Sequence, residues 1–281
     1  MRLLVTGAAG MLGQDVVRAA RERGMEVTGL ARDELDVADA GAVTVAVGAA
    51  RPDAVVNCAA WTDVDGAESD PDGARAVNAL GAGNVGRAAA AAGARLVHLS
   101  TDYVFDGEKR TPYLESDSTG PRSAYGATKL AGEEAVSAAG GSHAIVRSSW
   151  LFGAGGRNFV ATMLALGAER DEVKVVDDQI GRPTYTGHLA GALLDLAAGD
   201  AQGIFHVAGG GEPCSWHDFT VEIFRQAGVD CRVTPCTTDE MPRPAPRPAY
   251  SALASERPET PALPPWQTGL AGYLTEKAVR T

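Results

Sequence analysis

Leu3-Leu4-Val5-Thr6-Gly7-Ala8-Ala9-Gly10-Met11-Leu12-Gly13 decides the fold. Residues 3–6 are an apolar run closed by threonine, as a strand buried on both faces should be. Glycines follow at 7, 10 and 13, and from Met11 to residue 22 the pattern is helical. Strand, glycine turn and helix in that order form a βα unit whose turn admits a pyrophosphate. Gly7 permits the tight turn, and Gly10 and Gly13 leave the backbone bare. The helix start at Met11 and Leu12 offers unpaired N–H groups and a partial positive charge. The spacing is Gly-x-x-Gly-x-x-Gly rather than Gly-x-Gly-x-x-Gly, so a plain βα turn is the simpler alternative.

Working outward, the alternation continues. Residues 26–31, 54–58, 95–99 and 144–147 read as strands, and 39–50, 74–92 and 123–138 as helices. This pattern predicts an α/β fold, a Rossmann-type doubly wound parallel sheet over residues 1–152. Residues 153–281 are less regular and predict a smaller C-terminal substrate-binding lobe. Helices are expected at 159–166, 186–198 and 215–227, with strands at 173–176 and 204–207. Segments near 173–207 are expected to rejoin the first sheet. Met241-Pro242-Arg243-Pro244-Ala245-Pro246-Arg247-Pro248 and residues 258–265 are too rich in proline for helix or central strand. They read either as a surface connector or as an ordered arm over a substrate. Residues 266–279 read as a closing amphipathic helix, and no internal repeat is visible.

The 281 residues carry a net charge of −11, with 45% hydrophobic and 22% charged residues. That supports a folded globular chain and argues against nucleic-acid partners, since no Lys/Arg run exists. No apolar run reaches membrane-spanning length, and residues 1–5 lead straight into the glycine turn without a signal-peptide core. A cytoplasmic address is expected. Cys58, Cys214, Cys231 and Cys236 form no CxxC pair and read as structural thiols. No His/Cys/Asp/Glu spacing marks a metal site.

The second strand should end near a group that reads the adenine ribose. Gly29-Leu30-Ala31-Arg32 lacks the usual acid there, and Arg32 suits a 2′-phosphate. NADPH is therefore preferred over NADH, unless Arg32 is merely a solvated surface residue. Asp36 and Val37 would flank the adenine. After the third strand, Ala59, Ala60, Trp61 and Thr62 would let the cofactor pass close to the strand end. Tight packing of alanines is the alternative.

Tyr125-Gly126-Ala127-Thr128-Lys129 carries the chemistry. Tyr and Lys four apart share one helix face. A phenol titrates at about 10, and a neighbouring ammonium is expected to lower that value. Such a pair can protonate a ketone under reduction. Thr101, in Ser100-Thr101-Asp102-Tyr103-Val104-Phe105, ends the fourth strand, where ligands bind in such sheets, and its hydroxyl can orient a carbonyl.

These motifs resemble the extended short-chain dehydrogenase/reductase family, and within it the branch that reduces dTDP-4-dehydro-L-rhamnose. Arg51–Asn57, Ala67-Glu68, Ser100–Phe105, Tyr125–Glu133, Arg147–Gly153, Asn158-Phe159, Asp178–Thr184 and Arg247-Pro248 carry the likeness across nearly the whole chain. The resemblance implies that Thr101 polarises the C4 ketone and Tyr125 protonates its oxygen. It implies that Lys129 lowers the Tyr125 pKa and holds the nicotinamide ribose, with hydride arriving from NADPH or NADH. It puts Trp150 in the substrate pocket with Asp102, Val104 and Asn158 nearby, and pairs Arg247 with the diphosphate of a dTDP-sugar.

Some members of that family bridge a dimer through magnesium held by glutamates. The matching positions here are Asp15 and Gly187, which implies no metal and a monomer or weak homodimer. A related dehydratase would need Asp-Glu after the catalytic threonine, whereas Asp102 is followed by Tyr103. Two rivals remain: a 4-ketoreductase of another dTDP-4-keto-6-deoxyhexose, and a non-enzymatic NADP-binding regulatory subunit.

Overall fold

The computed structural model describes the backbone of residues 1–280 and the side chains of residues 1–278. The N-terminal half alternates β1 (Arg2–Thr6), α1 (Met11–Glu22), β2 (Glu26–Leu30), α2 (Ala40–Ala50), β3 (Ala54–Asn57), α3 (Val64–Ser69), α4 (Pro71–Arg75), α5 (Ala82–Ala91), β4 (Arg95–Thr101), α6 (Ala124–Ala138) and β5 (His143–Ser148). The rest contains β6 (Leu151–Phe152), α7 (Phe159–Glu169), β7 (Glu172–Val176), β8 (Ile180–Gly181), β9 (Thr184–Tyr185), α8 (Thr186–Ala198), β10 (Gly203–His206), β11 (Cys214–Ser215), α9 (Trp216–Ala227), β12 (Arg232–Cys236) and α10 (Trp266–Arg280).

The main sheet has the order β10-β5-β4-β3-β1-β2, and its pairings are all parallel. It is the Rossmann-type α/β fold expected from the alternation. The strand order reverses between β1 and β3, which opens a crevice at their carboxyl ends. α1 and α8 cover one face through Val16, Ala20, Leu189 and Leu193. α2, α5 and α6 cover the other through Val43, Val47, Val85, Ala89 and Val136. These strands are apolar on both sides because both sides are covered.

Of the later segments, α8 and β10 belong to this sheet, with β10 beside β5. Residues 173–176 do not rejoin it. β7 pairs in parallel with β12 in a separate two-stranded sheet, because Val173 and Val175 face the lobe's own aromatic core of Phe152, Phe219, Trp266 and Tyr273.

The single helix expected at 74–92 is interrupted. Residues Ala76–Gly81 are π-helical, and the wider turn lets the buried Asn78 side chain leave the helix ladder. Asn78 Oδ1 accepts the Trp61 N–H at 2.8 Å, and its amide donates to the Thr128 hydroxyl at 3.1 Å. Such bulges concentrate near functional sites. Here it ties the loop after β3 to α6.

The proline segment is an ordered arm. The Ala245 N–H donates to Asp65 Oδ1, the Tyr250 N–H to the Gly107 carbonyl and the Ser251 N–H to the Ile180 carbonyl. No helix among the described residues is long and apolar enough to cross a membrane.

Candidate active site

A cavity of about 960 Å³ opens at the carboxyl ends of β1, β3, β4 and β5. It is at the upper end of ligand-pocket sizes. One end is the glycine turn. Gly7 has φ +69°, a left-handed conformation that suits glycine, and a Cβ there would lie 2.6 Å from the Ala59 nitrogen. A Cβ on Gly13 would lie 2.2 Å from the Gly7 carbonyl oxygen. The turn is therefore as tight as a backbone approach to phosphate requires. Gly10 caps α1 without a side-chain bond, and the helix ladder begins with Gln14 N–H on the Gly10 carbonyl. The N–H groups of Met11, Leu12 and Gly13 precede that ladder. These features fit a dinucleotide pyrophosphate.

Arg32, Asp36 and Val37 after β2, and Ala59, Ala60, Trp61 and Thr62 after β3, line the same cavity. No carboxylate pairs with the exposed Arg32 among the described residues. Gln14 donates to the carbonyls of Ala9 (2.8 Å) and Gly155 (2.9 Å), which pins the 153–157 loop beside the glycine turn.

At the other end stand Thr101, Asp102, Tyr103, Tyr125, Lys129 and Trp150. β4 delivers Thr101 at its carboxyl end. Ser123 caps α6, accepting the Gly126 N–H at 3.1 Å, so Tyr125 and Lys129 fall in the first turns of that helix. The Thr101 hydroxyl donates to Asp102 Oδ1 at 3.1 Å and accepts the Tyr103 N–H at 3.2 Å. The Tyr103 ring meets the Tyr125 ring edge-on, with centroids 5.6 Å apart.

The electrostatics differ from the expectation that Lys129 makes Tyr125 more acidic. Burial pushes the Tyr125 phenol up to about 12; hydrogen bonding with Thr101 lowers it and the negative charge of Asp102 raises it further. Lys129 Nζ directs one of its protons to the Leu99 carbonyl at 2.6 Å. Burial lowers Lys129 to about 8, and the charges of Glu133 and Cys58 oppose that shift. Asp102 is raised to about 6 by burial, with Ser251 and Thr101 pulling it down. Desolvation is thus the largest influence on both groups, and the phenol is protonated at neutral pH.

Three residues expected in the substrate pocket do not line this cavity. Val104 is fully buried in a cluster with Phe105, Tyr113 and Leu253, because the turn after β4 folds it inward. Asn158 is the N-cap of α7; it accepts the Ala161 N–H and donates to the carbonyls of Gly153 and Gly156. It shapes the loop rather than lining the cavity. Arg247, on the proline arm, pairs with Asp65 of α3 at 2.9 Å.

Other cavity-lining residues escaped the sequence reading, among them Ser148, Ser149, Arg157 and Trp216. Ser148 Oγ is buried with no hydrogen-bond partner among the described residues, so the cavity keeps an unspent hydroxyl. Its place at the end of a strand was legible, but its orientation was not. Cys58 also lines the cavity, yet burial pushes its thiol up to about 12, which makes it a poor nucleophile.

Asp15 is buried, accepting from the Thr186 hydroxyl and from Arg18. Among the described residues, Asp177, His217 and Asp218 bring three metal-ligating groups together. Asp177 accepts the Ser215 hydroxyl and Asp218 completes the α9 capping box, which accounts for both carboxylates.

Residues 1–279 match the family model described as the RmlD substrate binding domain. A dTDP-4-dehydrorhamnose reductase of Streptomyces griseus is 48% identical over 279 residues, covering 96% of this chain and 91% of its own length. The crystal structure of a dTDP-4-dehydrorhamnose reductase from Clostridium acetobutylicum superposes with a TM-score of 0.95 at 43% identity, with 100% of both chains covered. One from Bacillus anthracis, in complex with NADP, also reaches 0.95 at 38% identity, covering 98% of this chain and 99% of its own.

Proposed function

This chain belongs to the RmlD substrate binding domain family, and from that premise we infer that it reduces the C4 ketone of dTDP-4-dehydro-L-rhamnose to dTDP-L-rhamnose with NADPH. The observation that carries the reading is the single cavity joining the glycine turn to Thr101, Tyr125 and Lys129. Its supports include NADP in the Bacillus anthracis relative and the names of close relatives. The reading takes the cytoplasm as its compartment and a monomer or weak homodimer as its working form.

The cofactor site runs from Gly7, Gly10, Met11, Leu12 and Gly13, which take the pyrophosphate, to Arg32, Asp36 and Val37 around the adenosine. Ala59, Ala60, Trp61 and Thr62 border its path, and Lys129 holds the nicotinamide ribose. When bound, the reduced nicotinamide supplies hydride to the sugar's C4 carbon. Thr101 holds the C4 oxygen. Tyr125, protonated at neutral pH, gives that oxygen its proton as the carbonyl π bond opens. The buried ammonium of Lys129 stabilises the phenolate left behind, which solvent reprotonates. Trp150 and Asp102 border the sugar.

Two results test the electrostatics and the cofactor site. Reduction needs Lys129 charged. Its pKa is depressed to about 8, so the charge is present below that pH and lost as pH rises through it. kcat for reduction is expected to fall above about pH 8, measured across pH 6–10; a flat profile to pH 10 contradicts the role of Lys129. Arg32→Ala is expected to weaken NADPH binding roughly tenfold or more, as loss of a charged hydrogen bond does, and to leave NADH unchanged. Equal losses remove Arg32 from the 2′-phosphate.

The function itself is tested by NADPH oxidation with a panel of dTDP-4-keto-6-deoxyhexoses. One NADPH consumed per dTDP-4-dehydro-L-rhamnose is expected. Faster turnover of another sugar reassigns the substrate. Cofactor binding without any turnover indicates a regulatory subunit.

A further inference from the structure

Trp150 stands where the chain leaves β5 for the lobe, at φ +49°. A bulky residue in this left-handed conformation persists only where its surroundings over-determine it. Several contacts do so here. The Trp150 carbonyl accepts the Thr184 N–H at 3.2 Å, and the neighbouring Ser149 hydroxyl donates to the Arg182 carbonyl at 2.7 Å. On one side of the ring, Gly181 leaves room: a Cβ there would lie 2.3 Å from Trp150 Cε2. The Trp216 ring lies flat against it, with centroids 3.4 Å apart and planes 4° from parallel.

Trp216 is itself fixed. It is the first residue of α9, after the Ser215 cap. Its Nε1 donates to Gln179 Oε1 at 3.2 Å, and the Phe159 ring packs 4.4 Å away. Gln179 and Gly181 come from one short stretch, Gln179-Ile180-Gly181-Arg182-Pro183-Thr184, which the proposed chemistry leaves without a task. Gln179 anchors one indole and Gly181 clears space for the other. Both rings are half-buried and both line the cavity that Thr101 and Tyr125 also line. Trp150 follows the main sheet and Trp216 begins a lobe helix, so the stack joins the two halves of the molecule at the site.

We infer that Trp216 is a positioning residue of the keto-sugar site, holding Trp150 as a wall of the pocket by stacking on it. The inference rests on the reading of this cavity as a dTDP-sugar site. Trp216 takes no part in proton or hydride transfer. Its loss frees Trp150 to leave its constrained conformation and blurs the seat of the sugar, while the glycine turn is untouched.

The test compares wild type, Trp216→Phe, Trp216→Leu and Gln179→Met. The readouts are steady-state kinetics with the keto sugar, NADPH affinity by fluorescence, and binding of the product dTDP-sugar by calorimetry. Trp216→Leu is expected to raise KM for the sugar roughly tenfold, the scale of one aromatic pair, with kcat changed less and NADPH affinity unchanged. Trp216→Phe, which keeps a flat ring, is expected to recover most of that loss. Gln179→Met, which removes the anchor without opening a cavity, is expected to shift KM in the same direction by a smaller factor. An unchanged KM in Trp216→Leu overturns the inference. So does a loss of NADPH affinity that parallels the loss for sugar, since that marks general loosening. If Trp216→Leu does not fold, Gln179→Met decides by the same KM criterion. A wild type that binds no dTDP-sugar overturns instead the functional reading on which the inference rests.

Discussion

Tyr125→Phe is expected to bind NADPH like the wild type and to lose about three orders of magnitude in turnover, within the range for removal of a general acid. Phenylalanine keeps the ring and its edge-on contact with Tyr103. Only the proton donor goes. Thr101 and Lys129 remain, but neither replaces it. Lys129 directs one proton to the Leu99 carbonyl and in this mechanism serves the ribose and the phenolate, and a threonine hydroxyl is far too weak an acid. With its pKa raised to about 12 by burial, Tyr125 holds its proton throughout the neutral range and releases it only to an oxygen gaining charge. Turnover within tenfold of wild type, at unchanged cofactor affinity, removes Tyr125 from the reaction.

Glu133→Leu is expected to cost about 3–5 kcal/mol of stability, as removal of one partner from a buried ion pair does. Glu133 and Arg147 are 3% and 2% exposed. Arg147 donates to both Glu133 oxygens through Nε, at 2.9 and 3.2 Å, and through a terminal nitrogen at 2.7 Å. Ser100 donates to the same carboxylate. Without Glu133 the guanidinium keeps the Phe105 ring face, 5.1 Å away, and a weak contact with His206, neither of which neutralises it. The double variant Glu133→Leu/Arg147→Met is expected to recover much of the loss, because no uncompensated charge remains. Urea unfolding measures both. The single variant should also move the alkaline limb of the rate profile below about pH 8, because the Glu133 carboxylate raises the Lys129 pKa. Stability within 1 kcal/mol of wild type, with an unmoved limb, contradicts this account of the pair.

The chemistry was more legible in the sequence than its setting. The glycine turn joins two regular elements, and Thr101 and the Tyr125/Lys129 pair sit on such elements, where strand and helix periods dictate which residues share a face. Those residues meet in one cavity as their spacing implied. Val104, Asn158 and Arg247 lie in turns, a helix cap and an irregular arm. Periodicity is silent there, and local partners such as Asp65 and the Gly153 carbonyl decide direction. The π-helical turn at Ala76–Gly81 was hidden because the Ala-rich run from 74 to 92 reads as one continuous helix; a tertiary hydrogen bond, from Trp61 to Asn78, accompanies the departure. The Trp150–Trp216 stack joins residues 66 apart (216 − 150) and had no local signal.

The direction of the Tyr125 shift was misread for a different reason. A Tyr-x-x-x-Lys spacing names the neighbours but not the burial. In this cavity desolvation is the largest influence on both groups, raising the phenol and lowering the amine. The phenol keeps its proton at neutral pH, as an unperturbed phenol also would, and burial makes it the weaker acid of the two.

Hydride transfer to a sugar carbonyl, matched by a proton from Tyr125, is tested most directly with NADPH deuterated at the transferring position of its nicotinamide C4. Single turnover with dTDP-4-dehydro-L-rhamnose should give dTDP-L-rhamnose carrying deuterium on C4 of the sugar, read by NMR, and no such product from Tyr125→Phe on the same timescale. Deuterium retained in the nicotinamide, or found at another sugar carbon, contradicts the mechanism.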